Sequence, residues 1–240
     1  MTATHIFAAI DGTWPAAEIR ILPTWTLRRG GGGGKRVSAA TAIGPVRASD
    51  IDQAVSQMTG WHQDPLFMIR PQDAELDQRL ELEGYGIVDP TNVYDSAITR
   101  LTDIPMPRVT AFCIWEPLAI MTEIWAQGGI TRERLDVMDR ADIKTGILAR
   151  WNEKPAGTAF AAISNGICMV HAVEILPAQR RQGVAAWTMR AAAFWGQQHG
   201  AERISVLCTK ANKPANALYS SLGFELAGQY HYRHKPAQGN

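Results

Sequence analysis

The residues best placed to do chemistry lie in a short polar loop between an apolar run and an amphipathic segment. The run spans residues 167–176 and predicts a buried strand that ends at Pro177. Arg180, Arg181 and Gly183 follow, and a helix is predicted directly after them. Such a helix points its first unpaired N–H groups, and the positive end of its dipole, at whatever precedes it. Because glycine lets the backbone approach closely and arginine is cationic, the loop predicts a phosphate site. The alternative is an ordinary strand-to-helix turn with solvated arginines.

A second motif stands downstream of this loop. Asn212, Ala215, Leu218 and Tyr219 are followed by residues 222–224, which gives N-x-x-A-x-x-L-Y-x-x-L-G-F after R-x-x-G-x-A. In this order the two motifs resemble the acetyl-CoA-dependent N-acetyltransferases of the GNAT superfamily, over roughly residues 108–235. The resemblance implies an α/β (α+β) fold with a mixed, mostly antiparallel sheet flanked by helices. It also implies acetyl-CoA as co-substrate and no metal.

The resemblance carries a set of cofactor-binding residues onto this sequence. A strand N–H near Ile175 is expected to polarise the acetyl carbonyl, and the amides of residues 182–185, with the two arginines, are expected to hold the pyrophosphate. The full set expected to contact acetyl-CoA is Ile175, Arg180, Arg181, Gln182, Gly183, Val184, Ala185, Asn212, Ala215 and Tyr219.

The resemblance places the tyrosine of the L-Y pair at Tyr219, which is therefore predicted to be the general acid. Acetyl transfer to an amine needs a neutral amine, a place for the oxyanion and a proton for the departing thiolate. The thiol has a pKa of roughly 8.5, so a phenol can protonate its thiolate at modest cost. The alternative is a tyrosine that packs by its ring and bonds to the backbone through its hydroxyl.

His171 is predicted to be the base, with Glu174 as its competitor. Strand alternation places His171 on the same face as Val173 and Ile175 rather than with Glu174. An imidazole titrates near neutrality, and the stretch around His171 resembles serotonin N-acetyltransferase, in which a histidine of this strand relays the amine proton. A buried carboxylate such as Glu174 needs a partner or a raised pKa, either of which can mark a site. A hydrogen-bonded core histidine and a structural ion pair are the respective alternatives.

The composition of the chain limits the classes of partner and the cellular compartment that we expect. The net charge of +1 offers no basic field for nucleic acid, so we expect none to bind. Cys113, Cys168 and Cys208 lie in apolar runs without C-x-x-C spacing, which predicts core thiols and a reducing compartment. Without a signal peptide or an apolar run of roughly 20 residues, the protein is expected to be cytoplasmic and not bound to a membrane. His231 and His234 lie three apart on a predicted strand, hence on opposite faces, and are not expected to bind metal.

The first half opens with two predicted strands around a run of glycines. The strands are residues 24–28 and 37–43, and the run from Gly30 to Gly34 predicts a floppy hairpin connection. Lys35 and Arg36 follow the run. This order does not match the phosphate-binding P-loop motif, which needs a glycine at position 29 and Ser or Thr at position 36.

The rest of the first half looks like a reduced copy of the second. Gly84-Tyr85 matches Gly223-Phe224 at an offset of 139, and the predicted strand at residues 66–70 then falls on residues 205–209. No R-x-x-G-x-A precedes it, and Leu80 lies where Tyr219 is expected. We therefore predict a tandem of two GNAT-like units, with a degenerate, non-catalytic domain at residues 1–101 and a catalytic domain at residues 108–240, separated near the prolines of residues 102–107.

These observations predict an N-acetyltransferase that moves an acetyl group from acetyl-CoA to a primary amine of a small molecule or peptide. Trp115, Trp125 and Ile130 either line the acceptor site or belong to the core. Two other classes stay open, a non-catalytic acyl-CoA-binding or sensor module and a structural assembly protein. The acceptor and the oligomeric state are not specified by the sequence.

Overall fold

The computed structural model describes residues 3–235 of the 240-residue chain, so residues 1–2 and 236–240 of the predicted domains lie outside the described residues. The elements of the first half are α1 (Ala3–Thr13), β1 (Glu18–Ile21), β2 (Trp25–Arg29), β3 (Thr41–Ala42), α2 (Ala48–Gly60), β4 (Leu66–Ile69), α3 (Ala74–Leu82) and β5 (Gly86–Ala97). Those of the second half are β6 (Ala111–Ile114), α4 (Ala119–Gln127), α5 (Arg132–Asp139), β7 (Ile143–Trp151), β8 (Lys154–Ser164), β9 (Ile167–Ile175), α6 (Val184–Gln198), β10 (Arg203–Thr209), α7 (Lys213–Ser221) and β11 (Glu225–His234).

One eight-stranded sheet runs through both halves in the order β4-β11-β5-β10-β9-β8-β7-β6. Its neighbours are antiparallel except for β9 and β10, which are parallel. A smaller sheet, β1-β2-β3, adjoins it through a parallel bridge between Ala40 and Phe67. The predicted mixed, mostly antiparallel α/β architecture is confirmed.

The two halves exchange strands at the centre of the large sheet. β5 of the first half lies between β10 and β11 of the second, and β11 lies between β4 and β5. The register is symmetric at the offset of 139, because Glu225 pairs with Asp95, His234 pairs with Gly86, and Thr91 pairs with Tyr230. Helices α3 and α7, at residues 74–82 and 213–221, are related by the same offset. A pseudo-two-fold axis therefore passes between β5 and β11.

A buried ionic cluster joins the exchanged strands. The carboxylate of Asp95, in β5, accepts hydrogen bonds from Arg203 Nε at 2.7 Å and from the Ser205 hydroxyl at 2.6 Å, both in β10. Asp95 is only 4% exposed, so its charge depends on these partners for stabilisation. The division of the chain into residues 1–101 and 108–240 stays a prediction, and the sheet continues across it.

The large sheet is covered on both faces. Helices α6 and α7 pack on one face, and α1, α4 and α5 pack on the other. Helix α6 lies close to the sheet because small residues face it, and a Cβ added to Gly196 would stand 2.8 Å from Cys168 Cβ. None of the helices within residues 3–235 has both the length and the apolar character of a membrane span.

The glycine run differs from the predicted floppy connection. Residues 30–34 form a tight turn against α5, and a Cβ added to Gly33 would lie 2.4 Å from Val137 Cγ2. A 3-10 helix, Lys35–Val37, follows, so the predicted strand at residues 37–43 is reduced to β3. The expectation was wrong because a run of glycines also permits close backbone packing, here with a helix far along the chain.

The three cysteines are free thiols, as predicted, but not all of them are in the core. Cys168 and Cys208 are buried, whereas Cys113 is exposed. The difference arises because Cys113 lies on β6, the last strand of the sheet, where one side of the strand has no neighbour.

Candidate acetyl-CoA site

The candidate site begins where the two parallel strands separate. Residues 167–170 of β9 pair with residues 203–206 of β10, and beyond this point β9 continues to Ile175 and β10 to Thr209 without pairing to each other. Leu176 N donates to Ala156 O at 2.9 Å. Since successive peptide groups of a strand point to opposite sides, the N–H of Ile175 points away from β8 and toward the gap.

A β-bulge interrupts β9 beside this gap. Phe160 pairs with His171 and Thr158 pairs with Glu174, so two residues of β9 lie opposite one residue of β8. Ala172 has φ 50°, in the left-handed region. The bulge reverses the side-chain alternation after His171.

The predicted alternation is therefore wrong. His171 packs against Trp14 and Phe160 on the face of α1 and α4, and a Cβ on Gly128, at the end of α4, would stand 2.3 Å from Glu174 Cδ. Val173 and Ile175 lie on the opposite face, that of α6. The two candidate bases thus share one face, because the bulge at Ala172, whose backbone is in the left-handed region, reverses the alternation of the side chains that follow.

The loop before α6 has the geometry of an anion site. Gly183 is the N-cap of α6 with φ 78°, and Arg181 also has positive φ, at 63°. No acidic side chain lies in the first turn of α6, and no side chain caps it. Its first N–H groups are therefore available to a ligand. Arg180, Arg181, Gln182 and Gly183 are exposed, and Arg180 Nε also donates to Ile175 O at 3.0 Å, which ties the loop to the end of β9.

Helix α7 borders the gap on the side of β10. Asn212 caps this helix, with its side-chain oxygen accepting from Ala215 N at 3.2 Å. Tyr219 is 5% exposed, and its ring packs against Tyr94 and Phe224. Burial raises the pKa of Tyr219 well above its usual value, with a smaller contribution from Cys208. Its hydroxyl therefore stays protonated at any physiological pH.

Three polar residues that the sequence motifs do not indicate hold α7 in place. Asn216 accepts from the Tyr94 hydroxyl at 2.9 Å and from Asn92 Nδ2 at 2.8 Å, and both partners belong to β5 of the first half. Asn216 lies inside the N-x-x-A-x-x-L-Y motif, at a variable position, so the motif does not point to it. The first half thus supplies the ring that packs against Tyr219.

Residues 112–224 match the family model described as acetyltransferase (GNAT) family. This stretch is a GNAT acetyltransferase domain. No curated protein sequence matches the chain. Many solved structures share its fold, and the three described next, at low sequence identity, support the fold alone.

A GCN5-related N-acetyltransferase from Kribbella flavida aligns over 99% of this chain and 97% of its own, with TM-score 0.72 and 19% identity. A functionally unknown conserved protein from Staphylococcus epidermidis covers 92% of this chain and 94% of its own, with TM-score 0.69 and 11% identity. A tandem GNAT protein from the clavulanic acid biosynthesis pathway covers 90% and 78%, with TM-score 0.60 and 12% identity. The chain therefore has a tandem GNAT fold.

His171 of the GNAT domain is held in its neutral form. It is 4% exposed, and Arg36 Nη1 donates to its Nδ1 at 2.9 Å. Its Nε2 lies 3.1 Å from the Thr13 hydroxyl, which itself donates to Ala9 O, so Nε2–H must be the donor. Burial, and then the charge of Arg36, lower the pKa of His171 well below 6.5. Both features disfavour protonation of the imidazole.

The pKa of Glu174, also in the GNAT domain, is shifted in the opposite direction to that of His171. Burial raises its pKa, and the charges of Arg180 and Arg134 oppose that shift. A partly buried carboxylate with a raised pKa is a stronger base than an exposed one. The glycine at position 128 makes room for this side chain.

The three apolar residues considered for the acceptor site have different places in the GNAT domain. Trp125 is fully buried, and its Nε1 donates to Ala172 O at 2.8 Å, so it supports the bulge. Trp115 packs against Phe160 at the edge of the core. Ile130 lines a cavity beside His171 and Ala172.

The histidines of β11 pair with carboxylates of the first half. His231 Nε2 lies 2.9 Å from Asp77, and His234 Nε2 lies 3.5 Å from Asp64. Within residues 3–235, no group of three or more His, Cys, Asp or Glu side chains is arranged to hold a metal ion.

Proposed function

We propose that the chain transfers an acetyl group from acetyl-CoA to the primary amine of a small molecule or peptide. The observation that carries the proposal is the gap between β9 and β10, with a bulge on one side and the open N-terminus of α6 at its mouth. This arrangement brings an anion site, free strand N–H groups and a basic side chain to one place.

The residues around the loop fit acetyl-CoA. Space around Gly183 is open, the first turn of α6 carries no competing carboxylate, and two exposed arginines stand beside it. The amides of residues 182–185, with Arg180 and Arg181, would hold the pyrophosphate. Asn212 and Ala215 would border the cofactor from α7, with Asn212 also capping that helix.

When bound, acetyl-CoA supplies an acetyl group activated as a thioester. The N–H of Ile175 would donate to the carbonyl oxygen, where negative charge develops as the amine nitrogen forms its bond to the carbonyl carbon. Glu174 would accept the proton that the amine loses, directly or through a water molecule. His171, neutral and bonded on both nitrogens, would instead shape the acceptor side, although a role as base stays a hypothesis.

Tyr219 would act on the leaving sulfur as the C–S bond breaks. Because burial raises its pKa, complete proton transfer to a thiolate with a pKa of roughly 8.5 is uphill. Its hydroxyl is nevertheless protonated and available as a hydrogen-bond donor, which stabilises the thiolate until solvent supplies the proton.

The test combines turnover with binding. The chain is incubated with acetyl-CoA and a panel of amines while free thiol is followed, using Cys113→Ser as background because Cys113 is exposed. Amine-dependent thiol release is expected, with one CoA bound per chain by titration calorimetry. CoA binding without turnover would indicate an acyl-CoA-binding or sensor module, and no CoA binding would indicate a structural assembly protein.

A further inference from the structure

The cavity beside the bulge is built by both halves of the chain. It has a volume of about 260 Å³ and lies against His171 and Ala172 of β9 and against Leu207 and Thr209 of β10. Trp14, the Gly33–Arg36 segment and the strand residues Asp89 and Thr91 come from the first half. A molecule in this cavity would lie next to the gap, on the face that holds His171.

Three cationic side chains and one carboxylate line this cavity. Lys35 Nζ lies 2.9 Å from Asp89, so these two charges neutralise each other. Arg36 contacts only neutral groups in the described part of the chain, the His171 ring nitrogen and the face of Trp14 at 5.5 Å. Its Nε is buried and has no hydrogen-bond partner. The arginine that faces the bulge therefore lacks a counter-charge.

A second arginine of the same cavity also lacks a carboxylate partner. Among the described residues, no carboxylate lies within ion-pair distance of Arg134 on α5, and its guanidinium stands 3.5 Å from where a Cβ on Gly34 would be. The charge of Arg134 lowers the pKa of Glu174, although the two side chains do not form an ion pair. Two guanidinium groups thus converge on the cavity with unfilled donors.

The glycine turn places Arg36, whose guanidinium lacks a counter-charge, beside the second half. Gly33 packs tightly against Val137, and this close approach delivers Lys35 and Arg36 to the second half. Placing an unpaired guanidinium in a partly buried site is unfavourable unless an anion compensates it. Because the first half brings Arg36 to this cavity without a counter-charge, we expect a ligand of the cavity to supply the anion.

We propose that the acceptor is a small amine that also carries a carboxylate or similar anionic group, as an amino acid does. Arg36 and Arg134 bind the anion, and its attachment to the amine orients the nitrogen toward Glu174 and the gap. The inference rests on the proposed acetyl transfer. Polyamines and lysine side chains without a nearby anion are disfavoured, because the cavity repels cations.

The size of the cavity agrees with this class of acceptor. Small-molecule pockets typically measure ~300–1,000 Å³, and 260 Å³ lies just below that range. An amino acid fits such a volume.

The test uses acceptors that differ only in the anion. Alanine, methionine and phenylalanine are each compared with the corresponding amide, decarboxylated amine and aminophosphonate. The acids should have kcat/KM about 10- to 100-fold above the amides and amines, the gain expected from charge-assisted hydrogen bonds. The α-ammonium group of an amino-acid amide loses its proton more readily than that of the free acid, so for the amides intrinsic reactivity runs against this preference. An aminophosphonate better than the acid would assign the anion as phosphate-like.

Variants connect the preference to the two arginines. Arg36→Gln and Arg134→Gln should each raise KM for the acids and bring acid and amide close together, whereas Arg36→Lys should recover part of the preference. Arg132→Gln is the matched control, because Arg132 lies on the same helix as Arg134 but its side chain is 83% exposed and pairs with Asp136. It should keep the full preference.

Binding separates this inference from the reaction itself. Each compound is also tested for thermal stabilisation of the chain without acetyl-CoA. Stabilisation by the acids alone, with no acetylated product, would contradict the proposed function and leave the anion site standing. Amides equal to acids in both assays of the unmodified chain, or a preference unchanged in both Arg36→Gln and Arg134→Gln, would overturn the inference.

Discussion

The two halves contain equivalent helices, α2 and α6, whose N-termini differ in one decisive respect. In the first turn of α2, the Asp50 carboxylate accepts from Arg47 N at 2.8 Å, so this terminus carries its own anion. The first turn of α6 has neither an acidic residue nor a side-chain cap. A duplicated fold thus keeps one terminus closed and leaves the other open for a phosphate.

The connections before these helices differ as well. The parallel pair Ala40–Phe67 of the first half corresponds to Val170–Val206 of the second. Seven residues separate Ala40 from α2, whereas thirteen separate Val170 from α6. The shorter connection has no room for the bulged strand end and the arginine loop. In the proposed function, the first half would therefore contribute to the site through β5 and the glycine turn rather than through a cofactor loop of its own.

The largest expected effect comes from a substitution that tests this difference at two glycines 139 positions apart, Gly183 and Gly44. Gly183→Asp puts a carboxylate where the pyrophosphate charge belongs, so CoA affinity should fall at least 100-fold. Gly183 has φ 78°, so we also expect a stability cost of about 1 kcal/mol. Calorimetry measures the affinity, and the melting temperature reports on folding.

Gly44→Asp is the matched control for that substitution. Nothing lies within 4 Å of a Cβ at Gly44, which lies 139 positions before Gly183, in the connection that leads to α2. Its CoA affinity should stay within twofold of the unmodified chain. Micromolar CoA binding by Gly183→Asp, or a comparable loss in both variants, would remove the phosphate loop from the α6 terminus.

A smaller effect is expected at Tyr219, whose equivalent in the first half is Leu80. Tyr219→Phe keeps the ring packing against Tyr94 and Phe224 but removes the donor to the leaving sulfur. We expect kcat to fall about 100-fold with CoA affinity nearly unchanged. Tyr94→Phe is the control, since it loses only the hydrogen bonds of the Tyr94 hydroxyl with Asn216 and Asn92 and should cost about 1 kcal/mol of stability with little effect on rate. Full activity of Tyr219→Phe would mean that another group assists the thiolate.

The two candidate bases should differ in the shape of their pH–rate profiles. If Glu174 is the base, kcat/KM should fall as the pH drops through the raised pKa of Glu174. In Glu174→Gln, kcat/KM should be about 10- to 100-fold lower, and its decrease at acidic pH should disappear. His171→Gln should then lower the rate evenly across pH 6–9. A loss confined to neutral pH that recovers at higher pH would instead identify His171 as the relay.

The sequence predicts the architecture well and the site only in part. The two motifs are local signals, and they lead to the correct sheet and to the loop before α6. The bulge at Ala172 has no such signal, because alanine does not favour a left-handed backbone. Arg36 reaches His171 from 135 positions away, and the strand exchange depends on pairings as remote. Properties of this kind depend on tertiary contacts, which periodicity and spacing do not encode.

The smallest expected effect concerns stability rather than rate, and it compares a buried histidine with an exposed one. The folded pKa of His171 is lowered, so below the unfolded value of about 6.5 the unfolded chain binds a proton that the folded chain does not. The free energy of unfolding should therefore fall as the pH drops below 6.5, by at most about 1.4 kcal/mol per pH unit, and this group adds no slope above it. Urea unfolding at pH 7.5, 6.5 and 5.5 measures the slope. His171→Gln should flatten it, while His62→Asn, at an exposed position with φ 57°, should leave it unchanged. Equal slopes in all three proteins would show that His171 accepts a proton in the folded state, which would restore it as the favoured base.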